Sequence, residues 1–174
     1  RAHRPASIAN EMLDMCREAL ERTDFVPLNS ASTSPAMYPT QRLNNLMREV
    51  LRDHPLNAGQ CILPPGHEEV RRQIAKRMAL AGAPADPAHV VITSGTMDAI
   101  TLALRLVCPP GDTVVVESPT YFGLLQSIEH LNLKVVEVPN CAVSGIDVEA
   151  VRAVARNTRL AAAVLMPNFN NPSG

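Results

Sequence analysis

The sequence predicts an α/β domain built on a mainly parallel sheet, on three observations. From residue 89 onward, short apolar runs alternate with helical stretches of about a dozen residues, the rhythm of βαβ units. The runs HVVIT, TVVVE, KVVEV and LAAAVLM carry no polar alternation, as expected of strands covered on both faces. Finally, 174 residues with 46% apolar and 19% charged side chains suffice for one domain with a core and lie outside the disordered class.

The elements follow in order. Ser7 is placed to cap a helix whose apolar residues Ile8, Met12, Met15, Ala19 and Leu20 share one face. The Ser-, Thr- and Pro-rich stretch VPLNSASTSPAMYPT reads as a loop, and Thr40 opens a second helix with Leu43, Leu46, Met47 and Val50. A third helix follows LPPG, with Val70, Ile74 and Met78 inward, Glu68 one turn from Arg72, and Gly82 as its stop. Met12, Met15, Met47 and Met78 read as core filler. Residues 1–83 thus form a helical N-terminal segment and 84–174 an α/β segment. In the latter, TMDAITLALRLV, TYFGLLQSIEHL and IDVEAVRAVAR are the helices between strands. His67 and His89 read as capping or solvated, and Asp112 in PPGD as turn chemistry.

A formal charge of −1 gives no electrostatic reason for this chain itself to bind nucleic acid or an anionic membrane. No apolar run reaches the roughly 18 residues of a membrane span, and no signal peptide is recognisable. Cys16, Cys61, Cys108 and Cys141 have neither C-x-x-C nor metal-ligand spacing, so they read as reduced thiols in a cytoplasmic protein without a metal site. Walker A and G-x-G-x-x-G motifs are absent.

Ligands of parallel sheets gather at the carboxyl ends of the strands. Three loops lie there. In TSGTMDA, Ser94, Gly95 and Thr96 precede a helix, offering backbone N–H groups and hydroxyls to a phosphate; the same residues also suit an ordinary helix cap. In ESPTY, Tyr121 suits a flat ligand, with about 0.5–1.5 kcal/mol from ring stacking, or simply packs its own helix. In NNPSG, Asn171 either donates its amide to a ligand oxygen or closes an Asx-type turn. Together the three describe a pocket for a phosphorylated aromatic ring.

PPGHEEVRRQIAKRM, VVITSGTMDAITLALRLVCPPGDTVVVESPTYFGLLQSIEHL and VLMPNFNNPSG occur in this order, after LNSASTSPAMYP near the start. They resemble the fold-type I, aspartate aminotransferase-like enzymes that use pyridoxal 5'-phosphate. Within that superfamily they are most similar to the aminotransferase-like domain of MocR-type regulators of the GntR family. The resemblance implies part of a large, three-layer αβα domain with mainly parallel strands. It implies that Ser94, Gly95 and Thr96 hold the cofactor phosphate, that Tyr121 stacks on the ring, and that Asn171 bonds its phenolic oxygen. Asn29, Ser30 and Ala31 would face the substrate, an amine or amino acid, and the intact protein would be a homodimer. One departure is Cys61, which stands where the family has a Tyr that reaches a phosphate across the dimer.

The family's chemistry needs a lysine to anchor the cofactor and an acid at the pyridine nitrogen. The lysines here are Lys76, on an early helix, and Lys134, at a strand start, both away from the three loops. The expectation is therefore the first part of a larger domain, itself not an enzyme and without catalytic residues. Its incomplete sheet would leave unpaired edges prone to self-association. The parent is expected to be a regulator that contacts DNA through an upstream domain; the alternative is a free-standing aminotransferase. A third reading is an α/β domain without cofactor.

Overall fold

Parallel pairing around a valine-rich strand sets the architecture. The computed structural model describes residues 8–22, 24, 33–56 and 59–174. Its helices are α1 (Ile8–Glu21), α2 (Thr40–Asp53), α3 (Glu68–Leu80), α4 (Thr96–Val107), α5 (Phe122–His130) and α6 (Val148–Asn157). Its strands are β1 (Thr113–Ser118), β2 (Lys134–Cys141), β3 (Gly145–Ile146) and β4 (Leu160–Val164). The chain divides into two compact units, Arg1–Asn29 with Ser94–Gly174, and Ser30–Thr93. The sequence division at 83/84 follows the change of periodicity and lies earlier than this second boundary.

In the first unit the sheet order is β3-β2-β1-β4, with β1 parallel to both β2 and β4, and β3 antiparallel to β2. Central β1 is covered on both faces: Val114, Val115 and Val116 are buried, and β-branched side chains suit that doubly packed position. Val114 and Val116 meet Leu104, Cys108, Leu124, Ile128 and Leu133 in one apolar cluster, so α4 and α5 share a face. The connection β1–α5–β2 steps one way along the sheet and β2–α6–β4 steps back across β1. Right-handed crossovers then put α5 and α6 on opposite faces, which gives the expected three layers. Asp147 starts α6 by accepting from Ala150 N–H at 2.9 Å. Ser7, read as the cap of α1, lies outside the described residues.

In the second unit, α3 ends as its sequence dictates. Gly82 takes φ +83°, and the N–H groups of Gly82 and Ala83 reach Ala79 O and Met78 O at 3.1 and 2.9 Å, a Schellman closure. Glu68 and Arg72 pair at 2.5 Å; both are well exposed, so the pair is worth about 0.3–0.5 kcal/mol. His67 Nδ1 caps the helix by accepting from Glu69 N–H.

Two expectations are corrected. HVVIT is not a strand: Pro87–His89 forms a 3-10 turn, and residues 90–93 have no ladder partner among the described residues. Val90 is extended, but Ile92 N–H bonds Pro65 O in the LPPG turn at 2.9 Å, so the apolar run lacks the neighbour that would make it a strand. The methionines are not core filler either. Met12, Met15, Met47 and Met78 are all exposed, as is Val70, and the buried residue of α3 is Ala75. Helical spacing identifies an apolar face but not its cover: α3 packs against the 3-10 turn Pro87–His89 and buries Ala75, while Leu43, Leu46, Met47 and Val50 of α2 stay exposed.

Candidate functional site

The candidate site is built at the carboxyl edge of the sheet. Helix α4 ends at Val107, and a tight turn leads straight into β1. Asp112 N–H bonds Pro109 O at 3.1 Å, and Gly111 has the φ of +92° that this turn requires. So short a connection lays α4 antiparallel to β1, with Ser94–Thr96 at the end where β1 finishes. Because β4 runs parallel to β1, with Val116 opposite Val164, the loop after β4 leaves from this same edge. Strand direction and chain connection thus put 94–96, 119–121 and 165–174 toward the same end of the sheet. Lys134 pairs with Thr113 at the opposite edge.

Ser94, Gly95 and Thr96 are exposed. Gly95 takes φ +154°, a conformation side chains disfavour, and a Cβ there would meet nothing within 4 Å, so the backbone is accessible to an approaching group. The first-turn N–H groups of α4 have no partner within the helix. Before the helix, Ser94 N–H is already taken, donating to Asp98 Oδ2 at 3.0 Å. The phosphate donors are therefore narrower than the sequence suggests and centre on the helix start after Gly95.

Tyr121 is half-buried in the loop before α5, its ring 4.8 Å from that of Phe122 and inclined at 52°. The ring lies over Gly123, where an added Cβ would be 2.5 Å from Cε1. Beside it, Thr120 Oγ1 is buried without a hydrogen-bond partner.

The loop after β4 differs from the sequence reading in its details. Asn170, not Asn171, closes the turn: its Oδ1 accepts from Ser173 Oγ at 2.7 Å and Ser173 N–H at 3.3 Å, and its carbonyl accepts from Gly174 N–H at 2.6 Å. Asn171 is exposed at the tip of that turn. Glu117, at the end of β1, is 2% exposed; its Oε2 accepts from Met166 N–H at 2.7 Å and Asn170 Nδ2 at 3.1 Å. Sequence reasoning passed over Glu117 and Asn170. The signals were there, in a carboxylate ending an otherwise apolar strand and a doubled Asn before Pro. Asn29, Ser30 and Ala31 lie outside the described residues. Cys61 is exposed and belongs to the second unit.

Among the described residues no cluster of three or more His, Cys, Asp or Glu side chains is arranged for a metal, and no helix is long and apolar enough to cross a membrane. Elsewhere, Cys141 stands out. The Ser144 hydroxyl first, then the backbone N–H groups of Ser144 and Val143, favour its thiolate and bring its pKa down to about 7, whereas burial and then Asp112 push Cys108 up. At pH 7 about half of Cys141 is ionised, against a few per cent for an ordinary thiol. Iodoacetamide at pH 7 is expected to label Cys141 well before Cys108 by peptide mapping; equal rates would contradict this.

Residues 38–174 match the aminotransferase class I and II family. The chain is 38% identical over 157 residues to the uncharacterized HTH-type transcriptional regulator YdcR of Escherichia coli (strain K12), covering 90% of this chain and 34% of that protein. A second such regulator of that organism, YjiR, is 35% identical, with 98% and 37% covered. The chain thus spans little more than a third of the length of these relatives. Among solved structures it is similar to LysN, the α-aminoadipate aminotransferase of Thermus thermophilus, complexed with N-(5'-phosphopyridoxyl)-L-leucine. That match has a TM-score of 0.73 and 25% identity, covering 82% of this chain and 35% of LysN.

Proposed function

The chain belongs to the aminotransferase class I and II family, and on that premise we propose that it is the pyridoxal phosphate-binding part of an aminotransferase-like effector domain in a transcriptional regulator. The observation that carries this reading is the common sheet edge reached by Ser94–Thr96, Tyr121 and Asn171. Likeness to two HTH-type regulators over nearly the whole chain favours a regulator.

The residues present fit the cofactor in three respects. The accessible Gly95 backbone and the start of α4 suit a phosphate. The Tyr121 ring offers a face to a pyridine, with the unpartnered Thr120 hydroxyl beside it. Asn171, exposed at its turn, is available to donate to a phenolic oxygen. In this reading those groups bind and orient the ring, and Asp98 limits how many amides remain for the phosphate. Pyridoxal phosphate, when bound, supplies an aldehyde that condenses with amines and a ring that accepts electrons. With Lys134 at the far edge, the first unit supplies no lysine amine to that chemistry. The reading extends to an amine or amino acid effector, a DNA-binding domain upstream of this chain, and a homodimer in the cytoplasm.

A free-standing aminotransferase is the second reading, favoured by the likeness to LysN. The experiment that separates them is a mobility-shift assay of the full-length protein with DNA from upstream of its own gene, with and without pyridoxal phosphate. A cofactor-sensitive shift supports the regulator. No shift, together with amino-group transfer to a 2-oxo acid, supports the enzyme.

A further inference from the structure

Resting on that reading of the site, we propose that Glu117 and Asn170 are positioning residues that form a latch fixing Asn171 toward the cofactor ring. The paired register of β1 and β4 ends at Val116 and Val164. Beyond it β1 continues to Ser118 in register with β2 alone, and the segment after β4 has no ladder pairing with it. The Glu117 carboxylate links the two instead, receiving Met166 N–H at 2.7 Å. The same oxygen receives Asn170 Nδ2 at 3.1 Å, which ties the far end of the loop to the central strand. The other end of the Asn170 amide is occupied by Ser173, through N–H and Oγ, so the amide can neither flip nor leave without stranding a buried polar group. Its residue is 7% exposed, whereas Asn171 next to it is exposed. A buried, doubly satisfied Asn thus holds the turn, leaving its neighbour available to a ligand.

The test is a mutant cycle in the full-length protein, read as the dissociation constant for pyridoxal phosphate from its absorption. Asn170→Ala is expected to weaken binding by about tenfold and Asn171→Ala by about ten- to a hundredfold. The double variant is expected to bind no more weakly than Asn171→Ala alone, because Asn170 acts through Asn171. Glu117→Gln, which keeps a carbonyl oxygen for both donors, is expected to bind within about threefold of wild type and to retain slow exchange of the Met166 and Ser173 amides without cofactor. Multiplicative losses in the double variant, or wild-type binding by Asn170→Ala, would overturn the latch. Fast exchange of both amides in the wild-type protein would overturn it too, even if Asn170→Ala fails to fold. If wild-type protein binds no pyridoxal phosphate while those amides are slow, the site reading fails and the proposed role toward Asn171 fails with it.

Discussion

Ile128→Ala is expected to destabilise the protein by about 2–5 kcal/mol, because Ile128 sits at the centre of the cluster between α4, α5 and β1. It is 1% exposed, with Val114 and Val116 of the central strand in the same cluster. Truncation removes the transfer energy of its outer carbons and leaves a cavity whose walls are held by a paired strand and two helices. A domain's whole stability is about 5–15 kcal/mol, so the loss is large. Urea unfolding should show a lower midpoint at unchanged slope. Leu106→Ala, at an 86% exposed position on α4, should change stability by less than about 0.5 kcal/mol. Equal effects of the two substitutions would contradict the assigned core.

Gly123→Ala is expected to separate cofactor binding from stability. The new methyl would lie 2.5 Å from Tyr121 Cε1 and 2.9 Å from Cζ, so the ring must swing away. Gly123 lies within α5, where Ala is the better helix former by about 1 kcal/mol. That gain offsets part of the steric cost, and thermal unfolding should move little. Pyridoxal phosphate affinity, in contrast, should fall by about two- to tenfold if the displaced ring is the stacking face, since ring stacking contributes about 0.5–1.5 kcal/mol beyond burial. Tyr121→Ala should show the same affinity loss, and unchanged affinity in both would remove Tyr121 from the site.

Legibility followed the range of the interaction. Strand β1 was readable because a run of valines states its own burial, and α3 because Gly82 and the Glu68–Arg72 spacing are local signals. Helix α4 matched its predicted span residue for residue. Residues 90–93 misled because strand identity depends on a partner far away in sequence. The hairpin strand β3 is only two residues long, too short for any period to register. At the site, the types and order of Ser94, Gly95, Thr96, Tyr121 and Asn171 were visible, and the topology explains their common edge. Glu117 was legible only as a carboxylate ending an apolar strand; its partners Met166 and Asn170 lie 49 and 53 residues away, too far for local spacing to pair them. The Asp98 carboxylate against Ser94 N–H was likewise hidden, although acidic residues in a first helical turn are common for the same electrostatic reason.

Equilibrium binding of pyridoxal phosphate to the full-length protein and to its Asn171→Ala variant, followed by the cofactor's absorption and induced circular dichroism, bears most directly on the carboxyl-edge site. Saturable binding at one cofactor per chain is predicted. A charge-assisted hydrogen bond contributes about 1.5–3 kcal/mol, so the variant should bind about ten- to a hundredfold more weakly. No saturable binding, or equal affinity in both proteins, would contradict the account.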